Sequence, residues 1–190
     1  MFFSTNSTKI KLLLGLGNLD SKYIGTRHNI GFMFLDFLKK QKNYGTFKED
    51  SKLFALISNN KTEEAKILLA KPTTYMNKSG KAARAILDYY KITLENFILI
   101  HDDLDIEFGS FKIQAKKSPR SHNGVLSVEN NLSTINFRRI RIGIDNRDTT
   151  QKKQFTGRDY VLSKFTNDEK KQLEENIFSR IMEEIDFVTA

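Results

Sequence analysis

A chain of 190 residues, 39% of them hydrophobic, can bury one substantial core and is short for two. It has no cysteine, which excludes disulfides and thiolate metal sites and favours an intracellular setting, and no apolar run approaches the ~20 residues that cross a bilayer. The formal charge of +8 is uneven: between Phe111 and Lys153, ten basic residues stand against three acids. Such a block suggests a polyanion-binding face, because phosphate neutralisation supplies most non-specific nucleic-acid affinity; a solvated surface without a partner is the competing reading. Residues 1–8 lack the charged-then-apolar order of a signal peptide and read as a flexible extension ahead of a single domain over residues 9–190 of a soluble, cytoplasmic protein.

In chain order, residues 10–16 form a nearly continuous apolar run ending in Gly15, Gly17 and Asn18, the pattern of a buried central strand entering a tight loop. From Asn29 to Gln41, Ile30, Phe34, Phe37 and Leu38 fall at helical spacing, and Lys39, Lys40 and Lys42 crowd the end, where cations suit the helix dipole. Residues 53–57 and 65–70 read as two strands of a hairpin, with Ser58, Asn59, Asn60 and Lys61 as a polar connection. Ala82, Ala83, Ile86, Leu87 and Tyr90 mark a second amphipathic helix, and the apolar strand 97–100 runs into His101, Asp102 and Asp103. Residues 111–115 read as a strand, 125–132 as a helix and 137–144 as a strand with Arg139 and Arg141 alternating. The last helix opens on a Thr166/Glu169 capping box and shows Leu173, Ile177, Ile181 and Ile185 on one face. Helices interleaved with apolar strands imply an α/β fold, a single-domain three-layer α/β/α arrangement whose central sheet is mixed but mostly parallel.

Only three histidines occur, and each stands in a polar segment beside other reactive side chains: His28 before Asn29, His101 before Asp102, and His122 before Asn123. A neutral imidazole suits proton abstraction from water near pH 7, and a carboxylate on its other nitrogen orients it; Asp102, expected just beyond a buried strand, is the candidate. A capping or surface role is the ordinary alternative for a lone histidine. Asp102, Asp103 and Asp105 could instead form an oxygen-rich magnesium site, or a solvated acidic turn. Asn18, Asn77 and Asn123 sit in loops or at helix entrances, where asparagine commonly caps, yet neutral amides can also donate to a developing oxyanion; Asn29 reads as a cap. Gly15-Leu16-Gly17 opens like a dinucleotide fingerprint, but Asp20 occupies the third glycine position, and neither GxxxxGK[ST] nor GxSxG is present.

Gly15-Leu16-Gly17-Asn18, Tyr23, Thr26-Arg27-His28-Asn29-Ile30-Gly31, the segment from Lys71-Pro72 through Tyr75-Met76-Asn77 to Gly80, His101-Asp102-Asp103-Leu104-Asp105, Ser121-His122-Asn123-Gly124 and residues 137–144 occur in this order. Together, from about Lys9 onward, they closely resemble the bacterial peptidyl-tRNA hydrolase family. The resemblance implies hydrolysis of the ester between peptide and tRNA, recycling tRNA from prematurely released chains, without metal or organic cofactor. It implies His28 as general base, Asp102 as its orienting carboxylate, and Asn18, Tyr23, Met76, Asn77 and Asn123 as substrate-binding residues. Lys112 and Arg141 match basic positions toward the tRNA acceptor end, and Lys116, Lys117 and Arg120 add cations beside them. A monomer needing no protein partner and no membrane is expected. The sequence departs from the family pattern at Leu19-Asp20, where Pro-Gly is usual, at Gln114, where a basic residue is usual, and at Lys116-Lys117-Ser118-Pro119-Arg120-Ser121, where a glycine-rich lid is usual. A non-catalytic RNA-binding protein on the same fold is the main alternative, and a magnesium-dependent phosphoesterase a second.

Overall fold

Leu12, Leu13 and Leu14 are all buried, although consecutive residues of a strand face opposite ways, so both faces of this strand are covered. The computed structural model describes residues 9–61, 65–117 and 121–189; the expected N-terminal extension, residues 1–8, and Arg120 lie outside the described residues. The strands are β1 (Lys9–Gly15), β2 (Lys48–Asp50), β3 (Ala55–Lys61), β4 (Ala65–Pro72), β5 (Phe97–Glu107), β6 (Phe111–Ala115) and β7 (Arg138–Asp145), in the order β2-β3-β4-β1-β5-β7-β6. β4, β1, β5 and β7 are mutually parallel at the centre, while β3 and β6 run antiparallel to their neighbours. The expected mixed sheet is therefore present, with its antiparallel strands at the flanks.

Helices α2 (Ser79–Tyr90) and α3 (Asn123–Leu132) cover one face, packing Ala83, Ile86, Val125 and Val128 on Leu12, Leu14, Phe97 and Leu99. Helix α1 (Ile30–Gln41) and the C-terminal helix cover the other, packing Phe34, Leu35, Ile177 and Ile181 on Leu13, Ile98, Ile140 and Ile142. The C-terminal helix runs as α6 (Asn167–Gln172), a π segment (Leu173–Phe178) and α7 (Ser179–Thr189). Its capping box at Thr166 and Glu169 is formed, and Leu173, Ile177, Ile181 and Ile185 are buried. Steps of four drift around an α-helix of 3.6 residues per turn, and the wider π turn counteracts that drift, keeping the row on the sheet.

Several segments differ from the sequence expectations: β2 has no counterpart among them, and the strand expected from residue 53 begins at Ala55, with Leu53 and Phe54 in the turn before it. Ser58, Asn59, Asn60 and Lys61 are not a connection but the far half of β3, paired with residues 66–69 of β4. β2 reaches only Ile57, so beyond it β3 is an edge of the sheet; Ser58 is buried there and donates to Gly45 O, while Asn59 stays exposed. β5 does not stop at Ile100; pairing with β7 carries it through His101, Asp102 and Asp103, then past an irregularity to Glu107. Two short helices, α4 (Thr149–Gln154) and α5 (Gly157–Leu162), occupy a stretch where the sequence shows no periodicity. Each is only six residues long and is fixed by its cap, Asp148 accepting from Gln151 N–H and Thr156 from Asp159 N–H.

Candidate active site

The parallel strands β1, β4 and β5 end on one edge of the sheet, so the loops that follow β1 and β4 meet the last turns of β5 there. Helix α1 begins close against this edge: a Cβ added to Gly31 would lie 2.6 Å from both Ile100 O and Leu16 N, so only glycine permits the approach. The 3-10 turn Arg27–Asn29 immediately before α1 is thereby brought over β5. It is held from outside as well. Arg27 donates its backbone N–H to Ser163 O at 2.9 Å, pairs with Glu169 at 2.8 Å and stacks on Tyr160 and Phe165.

His28 faces inward from this turn, and its Nδ1 lies 2.9 Å from Asp102 Oδ1. Because an ionised carboxylate only accepts, Nδ1 carries the proton and Nε2 is the basic nitrogen left toward the cleft. Burial alone would lower the His28 pKa, but the charge of Asp102 and its hydrogen bond outweigh that and raise it above the ordinary 6.5. Burial would likewise raise Asp102, yet His28 and His122 hold it well below the usual carboxylate range. His122 stands at the N-cap of α3, with Nε2 3.0 Å from the same Asp102 oxygen. Fully buried His101 bonds the Asp102 carbonyl through Nδ1 at 2.7 Å, and burial followed by the charge of His122 pushes its pKa down to about 3. The three histidines of the polar segments are held by regular structure: His28 is in a 3-10 turn, His101 in a strand, and His122 caps a helix.

These groups open onto a cleft of about 830 Å³ lined by Asn18, Tyr23, His28, Met76, Asn77, Asp102, His122 and Asn123 among others. Asn18 is fixed on two sides. Its backbone N–H and carbonyl each bond the Asn29 carboxamide at 2.9 Å, and its own Oδ1 accepts from Met76 N–H at 3.1 Å. That leaves the Asn18 NH₂ as the donating half. Asn29 occupies the N-cap position of α1 but makes no side-chain capping bond; its amide clamps the neighbouring loop instead.

His28, Asp102 and His122 also stand close enough together, within 4.8 Å, to share an ion. The hydrogen bonds oppose it: His122 Nδ1 already accepts from Gly124 and Val125 N–H, so its proton sits on Nε2, where a metal would have to bind. The Asp102/Asp103/Asp105 cluster considered from the sequence does not form, because Asp103 turns to Arg141 at 2.6 Å.

Residues 12–190 match the family described as Peptidyl-tRNA hydrolase. The chain belongs to the peptidyl-tRNA hydrolase family. It is 40% identical over 168 residues to the peptidyl-tRNA hydrolase of Ligilactobacillus salivarius, covering 88% of this chain and 87% of that one. It is 43% identical over 160 residues to that of Bacillus thuringiensis, covering 84% and 83%. A crystal structure of a peptidyl-tRNA hydrolase in complex with N-propanol superposes with a TM-score of 0.82 at 29% identity, over 94% of this chain and 88% of that chain. The Acinetobacter baumannii enzyme gives 0.78 at 28%, over 94% and 92%.

In this peptidyl-tRNA hydrolase fold the residues expected to face tRNA divide in two. Lys112, Lys116 and Lys117 are exposed on and just after the edge strand β6. Arg141 is not: it is 3% exposed, and its guanidinium is committed to Asp103. Arg139 is likewise buried against Glu129 at 2.6 Å, and Arg147 pairs with Asp145 at 2.8 Å. The basic block read from the sequence thus contains three arginines that are neutralised within the fold, and its outward charge is smaller than the residue count. Tyr75 and Leu104, which lie within the motif blocks without an expected role, also line the cleft, and Arg158, Val161 and Leu162 carried no sequence signal because they come from the unrecognised helix α5.

Proposed function

We propose that this chain hydrolyses peptidyl-tRNA, with His28 as the general base that activates water. The observation that carries the reading is the His28 Nδ1 to Asp102 Oδ1 bond of 2.9 Å at the floor of the cleft, which presents Nε2 as a base. Water attacking the ester carbonyl gives up its proton to Nε2; the tetrahedral intermediate collapses, the ester C–O bond breaks, and the imidazolium returns the proton to the departing ribose oxygen of the tRNA. Asp102, ionised throughout, holds the imidazole and offsets its transient charge. The donating amides of Asn18, Asn77 and Asn123 are suited to the peptide and to the developing oxyanion, and Tyr23 and Met76 to the flanking chain.

Lys112, Lys116 and Lys117 are the cations we assign to the acceptor stem, with Arg120 as a fourth, and the protein is read as a cytoplasmic monomer that uses no cofactor. Among the described residues no helix is long and apolar enough to cross a membrane. The decisive experiment is hydrolysis of peptidyl-tRNA against free aminoacyl-tRNA, with and without EDTA, by wild type and His28→Ala. Turnover of peptidyl-tRNA that survives EDTA and disappears in the folded variant is expected. Full activity of His28→Ala would remove the base, and loss with EDTA would return the metal reading.

A further inference from the structure

His122 is used by neither half of that reaction, yet both of its ring nitrogens are hydrogen-bonded within the cleft. Its Nδ1 accepts the Gly124 and Val125 N–H groups at 3.1 and 3.3 Å. A ring nitrogen that accepts carries no proton, so the proton sits on Nε2, which points at Asp102 Oδ1. The ring lies between His28 and His101, with centroids 4.8 and 5.1 Å away, and a Cβ on Gly124 would come within 3.1 Å of its edge. We propose that His122 is a positioning residue: the first turn of α3 fixes it as an N–H donor that seats the Asp102 carboxylate and shares that carboxylate with His28. This rests on His28 being the base.

Two effects follow. The carboxylate, bonded on one oxygen from both sides, cannot rotate away from His28. The negative charge is also divided between two N–H donors, so His28 receives less of it than in an isolated pair, and its basicity is held nearer to neutral pH. Other titratable or charged groups on the surrounding elements are Glu129 on α3, His101, Asp103, Asp105 and Glu107 on β5, Arg138, Arg139, Arg141 and Asp145 on β7, Arg158, Asp159 and Tyr160 on α5, Lys22 and Tyr23 in the preceding turn, and Arg27 with its partner Glu169; Arg139 pairs with Glu129. Asp103 and Arg141 satisfy each other, and the charged residues of α1 begin only at Asp36, beyond its first turn. Among the described residues Asp102 is the group bonded to the His28 ring, and His122 is the other side chain bonded to that carboxylate.

His122→Asn separates the two tasks, since asparagine is a good N-cap but too short to reach Asp102 while capping. The expected result is thermal stability near wild type, kcat on peptidyl-tRNA lower by about 10-fold or more with KM little changed, and a His28 titration, followed by its ring NMR signals, moved to higher pH. Wild-type kcat with an unmoved His28 midpoint overturns the proposal. If His28→Ala is inactive while His122→Asn behaves as wild type, only this inference falls; if His28→Ala is active, the base assignment falls first, and the His28 midpoint still decides whether His122 shares the carboxylate. Should the variant not fold, the ¹⁵N spectrum of wild-type His122 decides: protonation at Nε2 supports the role, and protonation at Nδ1 overturns it.

Discussion

Asn29 holds Asn18 by its backbone, taking the Asn18 N–H and giving to the Asn18 carbonyl at 2.9 Å each. Through that clamp the residue after the candidate base fixes the loop after β1. Asn29→Asp keeps the shape but sets an oxygen against the Asn18 carbonyl. The variant is expected to lose about 1–3 kcal/mol, the cost of a buried group left unpaired, read as a lower urea midpoint at unchanged m-value, and to lose kcat as Asn18 shifts in the cleft.

The raised pKa of His28 sets a pH dependence. The base works only when deprotonated, so kcat/KM should rise with pH through a midpoint above 6.5. Asp102→Asn removes the charge that raises it. The limb should then move to lower pH, and turnover should fall on the order of 10²-fold or more. A rate profile whose midpoint ignores Asp102 would separate the two residues.

Arg141 and the lysines on and just after β6 should behave as different kinds of residue. Arg141→Ala leaves Asp103 as a buried charge without its partner, and a loss of about 3–5 kcal/mol in equilibrium unfolding is expected. Replacing Lys112, Lys116 and Lys117 together by alanine should leave the unfolding midpoint within experimental scatter while weakening tRNA binding. The slope of log K against log salt should flatten by up to about 0.9 for each lysine that meets a phosphate.

Two glycines give a contrast in packing. A Cβ on Gly80 would collide with the Ser127 backbone carbonyl where α2 crosses α3, while one on Gly45 would meet nothing within 4 Å. Gly80→Ala should destabilise by at least 1 kcal/mol, roughly the lower end of overpacking costs. Gly45→Ala should be neutral or stabilise by about 0.4–1 kcal/mol through the unfolded chain. Thermal midpoints of the two variants test the contrast.

The strands and long helices were legible because their burial is written in apolar spacing: Leu12 to Leu14 for a strand covered twice, and Leu173, Ile177, Ile181 and Ile185 for a helix face. The family could be seen from short blocks of polar residues in a fixed order. Other features depend on contacts distant in sequence. Nothing near Arg141 announces that Asp103, 38 positions earlier, will neutralise it. Asn29 looked like a cap because caps are local, whereas its partner lies 11 residues back in another loop. His122 carried no role until the α3 N–H groups fixed which nitrogen holds its proton. Helix α5 is too short to show a period, so the wall it contributes to the cleft was invisible.

With the arginines at positions 139, 141 and 147 paired within the fold, the exposed charge on and just after β6 rests on primary amines, Lys112, Lys116 and Lys117, while Arg138 on β7 stays partly exposed and Lys152 is paired with Asp145 at 3.2 Å. A guanidinium keeps its charge under mild acylating conditions; an amine does not. Lysine acylation can therefore strip the charge of Lys112, Lys116 and Lys117 while the interior ion pairs and the cleft histidines stay as they are, which makes that share of the grip on a polyanion chemically erasable and leaves the guanidinium share untouched.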